Sequence, residues 1–170
     1  MGSSNFAAWD VALAQCAASA RHFVGLTSEQ SLYNLAVRTV ELELIPALRS
    51  LGIGLIPYSP LHLGLLAGAL ETATKGRISD DSTQQRIEAH RDQLEAYEGL
   101  CRELGANPAE VALAWLLRNP VVATTVVGAA TIEELQWDLG ALTVQLDAEV
   151  MERLDQIWPG PGEAPQAYAW

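Results

Sequence analysis

The residues best suited to chemistry lie in GIGLIPYSPLHLGLLAG, residues 52–68, where an apolar run ends in Tyr58, Ser59 and Pro60 and continues through Leu61 and His62 to Gly64 and Gly68. A phenol, a hydroxyl and two glycines beyond a buried run suit a loop that holds a ligand against the backbone, because glycine permits close approach. They do not suit hydrolysis or metal chemistry. No nucleophile has a base near it in sequence, Cys16 and Cys101 are too far apart to begin a metal cluster, and His22, His62 and His90 are scattered. No catalytic residue and no metal ligand is assigned. Each cysteine falls on a helical pattern, where a thiol packs as a small hydrophobe.

The elements that must position this loop read as strands alternating with helices. Ser4 and Asn5 offer a cap for a first helix carrying Trp9, Leu13 and Cys16, and residues 23–27, FVGLT, read as a short buried strand. A polar linker, SEQSLYNLAVR, leads to a helix around residues 41–51, with Pro46 tolerated in its first turn and Gly52 as its stop. Residues 54–58 form the next strand. The polar run over 79–104 places Ile87, Leu94, Tyr97, Cys101 and Leu104 on one helical face, and Asn107-Pro108 opens a further helix that ends at Asn119-Pro120. VVATTVV, residues 121–127, reads as the third strand. Thr131 and Glu134 form a capping box, and Asp147 caps a last helix. Apolar strands separated by helices indicate parallel pairing with right-handed crossovers, an α/β layout. The opening Met1–Phe6 stretch reads as the end of a strand whose body is absent. Residues 1–158 form the folded part and 159–170 a Pro/Gly-rich tail.

Composition narrows the partners. Ten Lys and Arg against 21 Asp and Glu give a net charge of −11, which opposes nucleic acid, since such binding needs cations to displace phosphate counterions. No apolar stretch approaches the roughly 20 residues of a membrane span, and the start lacks the basic and apolar regions of a signal peptide. A cytoplasmic protein without membrane or nucleic-acid partners is expected. An anionic ligand would have to rely on local amides or a local cation.

Taken together, GxSNF at 2–6, EQSLYNLAVR at 29–38, GIGLIPYSPLHLGLLAG, ALAWLLRNP, VVGAATIEEL and the final YAW resemble the second half of the aldo-keto reductases. The resemblance implies a partial, half TIM-type (β/α)8 barrel with parallel strands and outer helices, and a nicotinamide dinucleotide held at the C-terminal strand ends without a GxGxxG loop. It implies that Ser4, Asn5 and Gln30 meet the nicotinamide carboxamide, which presents one acceptor and two donors. Tyr58 would stack on the ring, although a Tyr at a strand end also fits rim packing. Ser59, Pro60, Leu61 and Gly64 would follow the pyrophosphate. Where relatives often place a Lys after the second glycine, this chain has Ala69, which leaves Lys75 and Arg77 as the nearest cations and Arg77 as the phosphate contact. In the last motif Gly128, Glu134 and Asp138 fall at the adenosine. Ala130, Glu134, Trp137 and Asp138 stand there where relatives carry a polar or basic residue, Gln and Glu-Asn, so the preference for NADP over NAD is weakened. Glu134 has a structural reason to exist as well, its capping box with Thr131.

Family members use a Tyr, a Lys, an Asp and a His to deliver the proton, and all four belong to the barrel's first half. The resemblance therefore implies the cofactor-binding half of a reductase, inactive alone. The alternative is a non-catalytic half-barrel subunit. Either form leaves strand edges and an apolar inner face to be covered, by a second copy or by a complementing half-barrel chain.

Overall fold

The computed structural model describes residues 1–72 and 81–168. Three parallel strands, β1 (Gly2–Ser4), β2 (Ser28–Leu32) and β3 (Gly54–Tyr58), form one sheet in the order β1-β2-β3. Helix α1 (Ala8–Ser19) connects the first pair and α2 (Leu44–Leu51) the second, and the two helices pack together. Along β2 and β3 buried residues alternate with half-exposed ones: Glu29, Ser31, Leu55 and Pro57 point into the packed side, while Gln30, Leu32, Ile56 and Tyr58 lie on the open side. With helices on the outside and no strand closing the sheet among the described residues, this is part of a (β/α)8 barrel, as the sequence implied.

Beyond β3 the chain runs through a 3-10 segment (His62–Ala67) into α3 (Ala69–Thr72), then α4 (Asp81–Ala89), α5 (Arg91–Leu104), α6 (Pro108–Leu117), α7 (Ile132–Gly140) and α8 (Ala148–Ile157). Helix α6 is apolar after Glu110 and buried from Val111 to Leu116, as a core helix must be. Its start is the predicted one: the Asn107 side chain accepts from Ala109 N–H at 2.9 Å while Glu110 reaches back to Asn107 N–H at 3.1 Å. Asp147 caps α8 as predicted, accepting from Val150 N–H at 2.9 Å. The tail docks beside α2, with Glu163 on Arg49 at 2.7 Å and Ala164 N–H on Leu42 O at 2.8 Å.

Four expectations need correction. Residues 23–27 are not a strand: Phe23 and Val24 are 69% and 78% exposed, Gly25 has φ +78°, and the Gln15 side chain takes Val24 O and Leu26 N–H, both at 3.0 Å, in place of a sheet partner. The strand is instead the start of the polar stretch expected to be a linker, because Glu29 and Ser31 bond each other at 2.8 Å and make a polar strand buriable. Residues 121–127 run along β3 without forming a full strand. Leu55 N–H donates to Val121 O and Ala123 N–H to Leu55 O, but the next donor on β3 would be Pro57, which has no N–H. The helix expected over 79–104 is broken at His90, whose ring lies 5.6 Å from Trp158 and whose Nδ1 meets Gln93 at 2.9 Å. Finally, Ser4 and Asn5 do not cap α1; Ala7 stands at its N-cap with no side-chain bond.

Glu98 on α5 is buried and accepts the Leu70 N–H at 2.9 Å, tying α3 to α5. Burial raises its carboxyl above the usual range, and the Leu70 N–H only partly offsets this. A raised folded-state value means stability is full below the ordinary carboxylate range and is lost as pH rises through the folded value. Glu98→Gln keeps an acceptor for Leu70 without the charge. It is expected to exceed the parent in stability at neutral pH, with the gap closing by about pH 4, measured by urea denaturation; a less stable variant at neutral pH contradicts this.

Candidate functional site

Parallel pairing fixes which side chains meet at the C-terminal strand ends. Ser4 is in register with Gln30, and Leu32 with Tyr58, so β1 ends beside Gln30 while β2 and β3 run two residues further and end together. Asn5 then turns out of β1 with φ +57° while its N–H donates to Gln30 O at 2.9 Å. Its side-chain amide donates to Ser4 Oγ at 3.2 Å, and Tyr58 Oη donates to Asn5 Oδ1 at 3.1 Å, spanning β2. Ser4, Asn5 and Tyr58 are thus joined through their side chains, and Gln30 is joined to them through its main-chain oxygen.

The loop after Tyr58 is held in an uncommon backbone path. Of the five described non-glycine residues with positive φ, four (Asn5, Ser59, His62 and Leu63) follow the C-terminal ends of β1 or β3. Asn tolerates this region, but at Ser59, His62 and Leu63 it costs on the order of 1 kcal/mol or more and persists only when neighbours hold it. One such neighbour is Asn34, fully buried after β2. Its Oδ1 accepts from Ala36 N–H at 3.1 Å and Val37 N–H at 2.8 Å, and its Nδ2 donates to Ser59 O at 3.0 Å. The sequence reading passed over Asn34; its signal was an Asn two and three residues ahead of amides in a turn, the spacing of an Asx turn. Pro60 is buried, Leu61 is half-buried, and Gly64 takes φ +92°, which requires glycine. The amides of His62, Gly64 and Leu66 already donate to Ser59 O or Leu61 O, so the loop presents fewer amides than its sequence suggested. His62 is pushed below its ordinary value first by burial, then by the charges of His90 and Arg86, and is neutral at pH 7.

The adenosine-side residues stand apart. Residues 121–126 are tied to β3 by Val126 N–H and Thr125 Oγ1, both on Pro57 O. Beyond them Gly128 is exposed with open space around its Cα. Thr131 accepts from Glu134 N–H at 3.1 Å and Glu134 Oε2 accepts from Ala130 N–H at 2.6 Å, so the capping role of Glu134 is present, one residue earlier than the usual box. Asp138, one turn on, has its carboxyl raised by burial and then by the Glu134 charge. Among the described residues, no hydrogen bond or ion pair joins this helix to the strand-end group. Arg77 and Lys75, the expected phosphate cations, lie outside the described residues, as does the end of the YAW motif.

A separate cleft of about 350 Å³ is lined by Tyr33, Arg38, Glu41, Trp115, Arg118 and Asp155 among others. It contains none of the predicted site residues. Its charges largely pair within it: Arg38 bonds Glu41 and Asp155 and stacks 5.0 Å over Trp115. Among the described residues, no helix is long and apolar enough to cross a membrane.

Comparison with known proteins agrees with this geometry. The aldo/keto reductase family model matches residues 1–159. YrpG of Bacillus subtilis, described as an uncharacterised oxidoreductase, is 46% identical over 100% of this chain and 52% of its own length. A "probable aldo-keto reductase 1" of Glycine max is 31% identical over 79% of this chain and 40% of its own. A "probable voltage-gated potassium channel subunit beta" of Arabidopsis thaliana is 32% identical over 98% of this chain and 54% of its own. The chain spans about half the length of the curated relatives it matches. With nearly its whole length matched by that model, and with three parallel strands and outer helices of the barrel in place, this chain belongs to the aldo/keto reductase family.

Proposed function

We propose that this chain is the C-terminal, nicotinamide-binding half of an NAD(P)H-dependent carbonyl reductase of the aldo/keto reductase family, with residues 1–158 as the barrel part and 159–170 as its tail. The observation that supports it most is the meeting of Ser4, Asn5, Gln30 and Tyr58 at the C-terminal end of one parallel sheet. A hydroxyl and two amides match a carboxamide's acceptor and donors. The bond from Tyr58 to Asn5 fixes where the phenol ring lies, which a stacking face requires. The residues fit the nicotinamide end well. They fit the phosphate end less well, because Ala69 stands where relatives often have Lys and the Glu134–Asp138 pair is anionic. NADP remains the cofactor proposed, with NAD as the competitor, in a cytoplasmic protein.

When bound, the reduced nicotinamide would supply hydride to a carbonyl carbon. This chain's part is to hold and orient it. Delivering the proton needs an acid, and the described tyrosines are poor candidates: Tyr33 and Tyr97 are buried phenols raised first by desolvation, the Tyr58 hydroxyl is engaged by Asn5, and Tyr168 in the tail is raised by its hydrogen bond to Glu43. The acid is therefore proposed to come from strands outside this sequence. The 170-residue chain, mixed with NADPH and a reactive aromatic aldehyde, is expected to give saturable quenching or enhancement of NADPH fluorescence with no turnover above a buffer blank. Turnover above the blank would place an acid within these residues and overturn the division of labour. Absence of any binding of NADPH or NADH would overturn the cradle itself.

A second reading, a non-catalytic half-barrel subunit, is favoured by one observation: relatives named as potassium channel β subunits match over most of this chain. Both readings share a need for a partner. Trp9, Leu13, Phe23 and Val24 are exposed near one edge of the sheet, and Leu135, Trp137, Leu139 and Leu142 on and after α7. Apolar surface on this scale marks an association face. In equilibrium sedimentation at micromolar concentration the chain is expected to self-associate, and a clean monomer would contradict that.

A further inference from the structure

Glu29 is a carboxylate with no solvent exposure, in the middle of the central strand. Carboxylates are almost never buried this fully unless paired, and among the described residues no cation pairs with this one. Its partners are all neutral donors. Oε1 accepts the Phe6 N–H at 3.1 Å and the Ser31 hydroxyl at 2.8 Å, and Oε2 accepts the Ser3 hydroxyl. Two of the three sit on either side of Ser4 and Asn5. One side chain therefore grips the chain just before and just after the corner at which Asn5 takes its positive φ.

That placement has a chemical consequence. Asn tolerates the left-handed region better than other non-glycine residues, but the extended region is the broader one, and a move into it would swing the Asn5 amide away from Ser4 and Tyr58. The Phe6 N–H is the first donor after the corner, and Glu29 holds it from the packed side of the sheet while Gln30 O holds the Asn5 N–H. We propose that Glu29 is a positioning residue for the nicotinamide carboxamide, acting through the Ser4–Asn5 corner and touching no ligand itself. The inference rests on the cofactor-cradle reading above.

Two conservative variants separate reach from charge. Glu29→Asp keeps the charge but is one methylene too short to hold Phe6, whereas Glu29→Gln keeps the reach and an acceptor oxygen but loses the charge. Each is titrated, in the 170-residue chain, with NADPH and with 2′-phospho-ADP-ribose, which shares everything but the nicotinamide. Glu29→Asp is expected to weaken NADPH at least fivefold and to leave 2′-phospho-ADP-ribose within twofold of the parent. Glu29→Gln is expected to recover most of the loss, to within about twofold of the parent. A merely structural role would weaken both ligands together, and that result, or a Gln variant as impaired as the Asp variant, overturns the inference while leaving the cradle intact. If the parent chain binds neither ligand, the cradle reading falls and the inference falls with it.

Discussion

The register of three parallel strands governs the rest of the molecule. Because the main-chain ladder pairs Ser4 with Gln30 and Leu32 with Tyr58, the polar side chains at the strand ends have no choice but to meet. A one-residue slip of β2 would turn Glu29 and Ser31 towards the open side and bury Gln30 under the helices. The slip is resisted by chemistry as much as by packing. Glu29 finds its hydroxyl and amide donors only in the observed register, and Asn34 reaches Ser59 only if β2 ends where it does.

This reliance on polar contacts explains what the sequence disclosed and what it hid. Residues 54–58 and the caps at Asn107 and Asp147 were legible because they depend on local signals, an apolar run or an Asx residue ahead of a helix. β2 was not, since a strand reading SEQSL has no apolar run; its burial depends on partners 23 to 26 residues away in the chain. Residues 23–27 misled for the opposite reason: an apolar stretch lies exposed, its polar atoms taken by Gln15 from α1. The segment along β3 carried a clue that was there to read, since Pro57 on the neighbouring strand removes the donor that a continuous ladder would use. The break at His90 left no Gly or Pro as a sign; it falls where the ring meets Trp158, at the far end of the chain.

The candidate site shows the same division. The individual residues Ser4, Asn5, Gln30 and Tyr58 were legible from family resemblance, but their mutual bonds were not, and neither were the two buried residues that hold them, Glu29 and Asn34. Strain gathers at this point too, with four left-handed non-glycine residues at the ends of β1 and β3. A loop so constrained is preorganised, and a ligand meeting it has little ordering to drive. The phosphate end lacks this preparation: the loop amides close on their own carbonyls and the helix beyond carries paired acids.

The most direct measurement is a map of backbone amide shifts as NADPH is added to isotope-labelled chain. The account predicts that Asn5, Phe6, Gln30, Tyr58 and Ser59 move together and saturate at one affinity. Shifts gathered instead around Arg38, Trp115 and Arg118, with the strand ends unmoved, would contradict it.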